Sequence, residues 1–185
     1  MRTALQQPPL LVVLTRINIV QQAAAIMFAQ ALEEIVSPNC SAYHVDTQHG
    51  CTAADMRLAE KPLPLDPSML LHRTHKCYRG SKHVETTARN IAAELGTQLY
   101  TVTTEDMLHA SRSNTRSVLP RGLQQFLGLP DVVWDDEGRT EAEANWHSTT
   151  YGPKLQGTIA NFDEVSRYFE KHAPARLNSM LRSPS

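Results

Sequence analysis

A chain of 185 residues is long enough to bury a core within one domain, and 41% hydrophobic with 20% charged residues is the balance of a soluble globular protein. The formal net charge is −1 with no long basic run, so nothing points to nucleic acid or an anionic membrane as partner. No stretch approaches the roughly 20 apolar residues of a membrane span. The apolar run Leu10 to Leu14 is too short for a secretory leader and has no small-residue cleavage site behind it. The chain as given is expected to be soluble, with its compartment unassigned.

In chain order, Leu10-Leu11-Val12-Val13-Leu14 is apolar without alternation, which predicts an inner parallel strand buried on both faces. A helix is expected from about Asn18 to Ile35, its apolar pairs recurring every four residues as one stripe, ended by Ser37-Pro38-Asn39. Residues 36 to 65 read as irregular. Asp66-Pro67 is a helix start, with Asp as N-cap and Pro at the first position, and Gly96 a stop. The seam of that helix is expected at Leu70, Cys77, Val84, Ala88, Ile91 and Leu95, and Gly80 could divide it in two. Gln98 to Thr103 alternates and reads as a second strand. Short helices follow over Thr104 to Ala110, capped by Thr103 or Thr104, and over Arg121 to Leu127, closed by Gly128. Residues 131 to 158 are polar and unassigned. Asn161 is expected to cap a helix from Phe162 to about His172, with Glu164 answering the cap, and the tail from Pro174 to be loose. Residues 1–173 thus form one domain and 174–185 a tail.

Cys40, Cys51 and Cys77 are an odd count: one bridge could form, and three free thiols is the expected state. His72, His75 and Cys77 share a helix, with His44, His49 and Cys51 in the preceding loop. No CxxC or HExxH pattern accompanies them, so no metal is assigned and exposed side chains are expected. Trp134 and Trp146 either line a groove or anchor their polar stretch to the core.

Leu14-Thr15-Arg16-Ile17-Asn18 running into Gln22-Ala23-Ala24-Ala25 resembles the L-x-R-x-N-x-x-x-Q-A-x-S segment of PAPS-dependent sulfotransferases of bacterial and carbohydrate type. Leu65-Asp66-Pro67 with Leu70-Leu71, the Thr104-Glu105-Asp106-Met107-Leu108 segment, Phe126-Leu127-Gly128-Leu129, and Ile159-Ala160-Asn161-Phe162-Asp163-Glu164-Val165 are similar to later family segments, in the same order. The likeness covers residues 10 to 170. It implies an α/β fold: a partial P-loop-like sulfotransferase domain, helix-rich, with parallel strands flanked by helices. It also implies transfer of a sulfuryl group from PAPS to a hydroxyl acceptor, of carbohydrate type. In that family the Arg and the Ser hold the 3′-phosphate of PAPS. Arg16 matches the Arg, and Ala25 stands where the Ser would be, so these two are the cofactor-binding positions the resemblance assigns.

The family also wraps its 5′-phosphosulfate in an upstream Gly-, Ser- and Thr-rich loop with a basic residue. No such loop, and no position matching the family's acceptor-activating base, is found in the 185 residues. Thr149 stands where many members carry a basic residue, with Lys154 a little later. The expectation is a chain truncated at its N-terminus, either inactive by itself or a non-catalytic binding remnant of the scaffold. A partner is expected to cover the open edge of the sheet.

Overall fold

Strand β1 (Leu11–Thr15) pairs in parallel with β2 (Leu99–Thr103), Leu11 opposite Leu99 and Thr15 opposite Thr103. The computed structural model describes residues 9–43, 45, 47–107, 119–129 and 155–182. Among these the sheet has two strands, and the remainder is largely helical, compatible with the expected α/β class. The chain divides into two compact units. One holds Met1–Ile17 and Arg79–Gly138, the other Asn18–Tyr78 and Arg139–Ser185.

The first unit carries the sheet. Its expectation of a strand buried on both faces is corrected: Val13 is buried, but Val12 is 38% and Leu14 59% exposed. Alternate side chains of a strand point to opposite faces, and among the described residues one face of β1 has no covering layer. Over β2 that same face is covered, because Tyr100 packs on Phe126 of helix α4 (Arg121–Phe126), ring centroids 5.1 Å apart. Helix α3 (Pro67–Leu95) enters this unit at Arg79 and is not broken at Gly80. Gly96, in the left-handed region at φ 58°, ends it as expected. The expected seam is corrected here too: Ala88 and Ala92 are buried, whereas Val84, Ile91 and Leu95 are exposed. Small side chains leave the helix close to what it covers, and the branched ones flank that line.

The second unit holds most of the core. Helix α1 (Ile19–Glu33) starts after Asn18, whose Oδ1 accepts the Gln21 N–H at 3.1 Å. Nine of its residues are buried, so it is enclosed more widely than a single stripe predicts. Helices α5 (Leu155–Thr158), α6 (Phe162–His172) and α7 (Ala175–Arg182) complete the cluster, with Val20, Leu70, Ile159, Val165, Phe169 and Leu181 at its centre. The supposedly loose tail is therefore a packed helix. Leu177, Met180 and Leu181 lie at helical spacing, and their burial outweighs the cost of ordering it.

Two local clamps organise this unit. Leu63 and Ile159 form a parallel bridge, in which Leu63 N–H donates to Thr158 O (3.1 Å) and Ala160 N–H to Leu63 O (3.0 Å). Asn161 extends it: Leu65 N–H donates to Asn161 Oδ1 (2.9 Å), and Nδ2 donates to Leu65 O (3.0 Å) and Glu164 Oε2 (2.9 Å). Asn161 does precede α6, but its amide joins two distant segments instead of capping the helix.

The second clamp lies in the stretch read as irregular, where helix α2 (Ala53–Ala59) forms. Thr52 Oγ1 accepts the Asp55 N–H while Asp55 Oδ2 accepts the Thr52 N–H (2.8 Å), a reciprocal capping box. Asp55 also accepts from Ser37 N–H (2.8 Å) and Ser37 Oγ (2.9 Å), so one carboxylate ties both ends of the 37–52 loop. Inside it Cys40 and Cys51 form a disulfide, their Cα atoms 4.2 Å apart, which corrects the expectation of three free thiols. Gly50 makes this possible: at φ 77°, a Cβ there would lie 2.2 Å from Asn39 O. Closing a loop of this size removes roughly 2–3 kcal/mol of unfolded-chain freedom.

Candidate functional site

Arg16 follows β1 directly, at the carboxyl end of a parallel strand, where open α/β sheets bind ligands. It belongs to the first unit. The neighbouring strand β2 ends in Thr103, which caps the helical turn 104–107: Asp106 N–H donates to Thr103 Oγ1 (3.0 Å), and the Thr103 hydroxyl returns a bond to Asp106 Oδ2 (2.6 Å). That turn presents Glu105 to Arg16. The carboxylate accepts the Ile17 N–H at Oε2 (3.0 Å) and lies 3.8 Å from Arg16 Nε through Oε1. Thr104 Oγ1 donates to Thr15 O (3.2 Å), which fixes the turn against the end of β1. The two charged side chains are 21% and 25% exposed, and Arg16 Nε is buried with no hydrogen-bond partner, since 3.8 Å exceeds bonding distance. The guanidinium is thus screened by an acid yet keeps donors to offer a phosphate or carboxylate. The remaining expected residues, 108–110, lie outside the described residues.

Ala25 belongs to the second unit, on α1, and is buried at 6% exposure. Four residues before it, Gln21 is also buried, and neither Nε2 nor Oε1 has a hydrogen-bond partner. An unsatisfied buried amide group costs about 1–3 kcal/mol, and the Gln21 side chain carries such a cost. Sequence reasoning passed over it as part of the helix. It read Glu105 only as part of a helix start, although a Thr-Thr-Glu-Asp run after one of two parallel strands places an acid beside the end of the other.

Among the described residues, no group of three or more His, Cys, Asp or Glu gathers in a metal-binding arrangement. His72 and His75 are exposed. The Cys77 thiol is pushed up from its ordinary value by burial, against the pull of Arg73 and Lys76. His44, Trp134, Trp146, Thr149 and Lys154 lie outside the described residues. A cleft of about 340 Å³ opens in the second unit over Leu155, Phe162 and Leu181, with Asp163, Ser166 and Arg182 at its polar side. Its cation is occupied, because Arg182 bonds Ser166 Oγ (2.9 Å) and the Glu170 carboxylate. No helix among the described residues is long and apolar enough to cross a membrane. Comparison with protein-family models, with curated proteins and with solved structures gives no match to this chain, so what the site does has to be argued from its own residues.

Proposed function

We propose that the chain is built on the scaffold of a PAPS-dependent sulfotransferase and that Arg16 is its contact for the 3′-phosphate of the nucleotide. The chemistry in question is sulfuryl transfer to a hydroxyl, with a carbohydrate as the acceptor class. The observation that carries this reading is the position of Arg16: a guanidinium with a buried, unbonded Nε at the carboxyl end of a parallel strand. A phosphate there would accept hydrogen bonds from the exposed part of the guanidinium, which Glu105 screens but does not bond.

Sulfuryl transfer, like phosphoryl transfer, depends on positioning and on neutralising charge that builds on the leaving phosphate. Arg16 can orient the nucleotide and does nothing to the bond that breaks. A second reading is a non-catalytic nucleotide-binding module. It is favoured by the buried Ala25 in place of a hydroxyl. Both readings place a 3′-phosphate at Arg16. Titration with 3′-phosphoadenosine 5′-phosphate tests that shared point, and radiolabelled transfer from PAPS separates the two.

A further inference from the structure

We propose that the free edge of β1 is a self-association surface, on which a second copy of this chain lays its own β1 antiparallel across a two-fold axis through Val12. The phase of the ladder leads there. Leu11 N–H donates to Gln98 O at 3.1 Å, so the backbone groups of Leu11, and two residues on those of Val13, face β2. The N–H and C=O groups of Leu10, Val12 and Leu14 therefore face the opposite edge, where no strand pairs among the described residues. The side chains of these same three residues share one face and are all exposed, Leu10 at 44%. Nothing charged interrupts the strip, and an apolar edge without Lys or a bulge is a template for another strand.

What marks the partner as a second copy is the run itself. Leu10-Leu11-Val12-Val13-Leu14 has a leucine at each end and valine at the centre. Laid antiparallel on itself about Val12, it sets Leu10 opposite Leu14 of the second copy, twice, and Val12 opposite its own mate. All are positions whose backbone groups point outward, so each pair exchanges both of its N–H···O bonds, and three apolar cross-strand pairs fall on the exposed face. An antiparallel two-fold pairing uses the same patch on both chains and closes at two copies, which a parallel addition does not. The inference is independent of the nucleotide reading.

A single strand pair is a small interface, so a monomer–dimer equilibrium is expected over about 1–200 μM. Sedimentation velocity across that range reads it directly. Val12→Pro removes the outward N–H while leaving the bonds to β2, and Val12→Lys sets two charges together on the axis. Each should weaken the dimer at least tenfold, with circular dichroism unchanged because Val12 is outside the core. Register is read in a Cys77→Ser background: Val12→Cys should crosslink to itself, and Leu10→Cys mixed with Leu14→Cys should crosslink better than either alone. A chain monomeric throughout the range overturns the proposal and leaves the edge to a strand from another protein. So does a dimer that survives both Val12 variants, or crosslinking by Leu10→Cys alone that equals the mixture.

Discussion

Asn161→Ala should destabilise the second unit far more than loss of a surface amide. In the native chain the side chain serves both backbone groups of Leu65, at 2.9 and 3.0 Å, across 96 residues of sequence. Leu65 is buried, so truncation leaves its N–H and C=O without these partners in a part-buried setting. Each such group costs about 1–3 kcal/mol, and with partial relaxation the total should be about 2–4 kcal/mol. A cap residue replaced by Ala would lose only about 1 kcal/mol. Equilibrium urea unfolding followed by circular dichroism distinguishes the two, since the larger loss moves the midpoint by about 1–2 M. Asn161→Asp is the sharper variant. It has the same shape and still accepts the Leu65 N–H, but it turns a carboxylate oxygen toward Leu65 O and Glu164, and should lose at least about 1 kcal/mol at neutral pH. If Asn161→Ala costs less than about 1 kcal/mol, or if the Asp variant matches the native protein, the clamp contributes little and the reasoning fails.

Acid should weaken the 37–52 loop. Hydrogen bonds from the Ser37 N–H first and the Thr52 N–H second hold the Asp55 carboxyl well below its ordinary value of 3.8. A depressed folded-state pKa contributes stability that is complete above the ordinary value and is lost as pH falls below it. Melting temperature should therefore fall more steeply below about pH 3.8 in the native chain than in Asp55→Asn, and parallel curves would contradict the assignment. Truncation after Pro174 should cost several kcal/mol, since it strips Leu177, Met180 and Leu181 from the core at roughly 1.5–3 kcal/mol each. An unchanged urea midpoint would mean that α7 is ornamental. The 185-residue chain should show no transfer from labelled PAPS to a panel of sugars, glycolipids and phenols. Loss of one preorganised donor costs about a hundredfold or more, and these 185 residues contain no Gly-, Ser- and Thr-rich loop with a basic residue to supply such donors. Turnover abolished by Arg16→Ala would reveal a complete site.

The elements most legible in the sequence were those with a covalent or capping signature. Asp66-Pro67 and Gly96 bound a helix of 29 residues because N-cap, fixed φ and left-handed stop are local effects. The Asp66 carboxylate accepts from Ser68 and Met69 N–H as that reading requires. β2 was legible from its alternating pattern, and α6 from Asn161 standing before Phe162. What was missed is what depends on distant partners. The apolar run of β1 could not reveal that Val12 and Leu14 stay exposed, and Asn161 looked like a cap because the partner of its amide, Leu65, lies far away in sequence. Cys40 and Cys51 are brought together by a loop that Asp55 closes, and an odd cysteine count hides such a pair. Helix α2 had a local signal, Thr52-x-x-Asp55, that was overlooked among the surrounding Gly and Pro. Of the candidate site, Arg16 was legible from resemblance, whereas the acid beside it requires the parallel pairing of β1 and β2.

Calorimetric titration of 3′-phosphoadenosine 5′-phosphate into the native chain, Arg16→Ala and Glu105→Gln tests the central claim most directly. Glu105→Gln keeps an oxygen for the Ile17 N–H but removes the charge that competes with a phosphate for Arg16. The account predicts measurable binding that weakens about tenfold or more in Arg16→Ala and tightens in Glu105→Gln. No binding to the native chain, or binding that neither substitution alters, would contradict it.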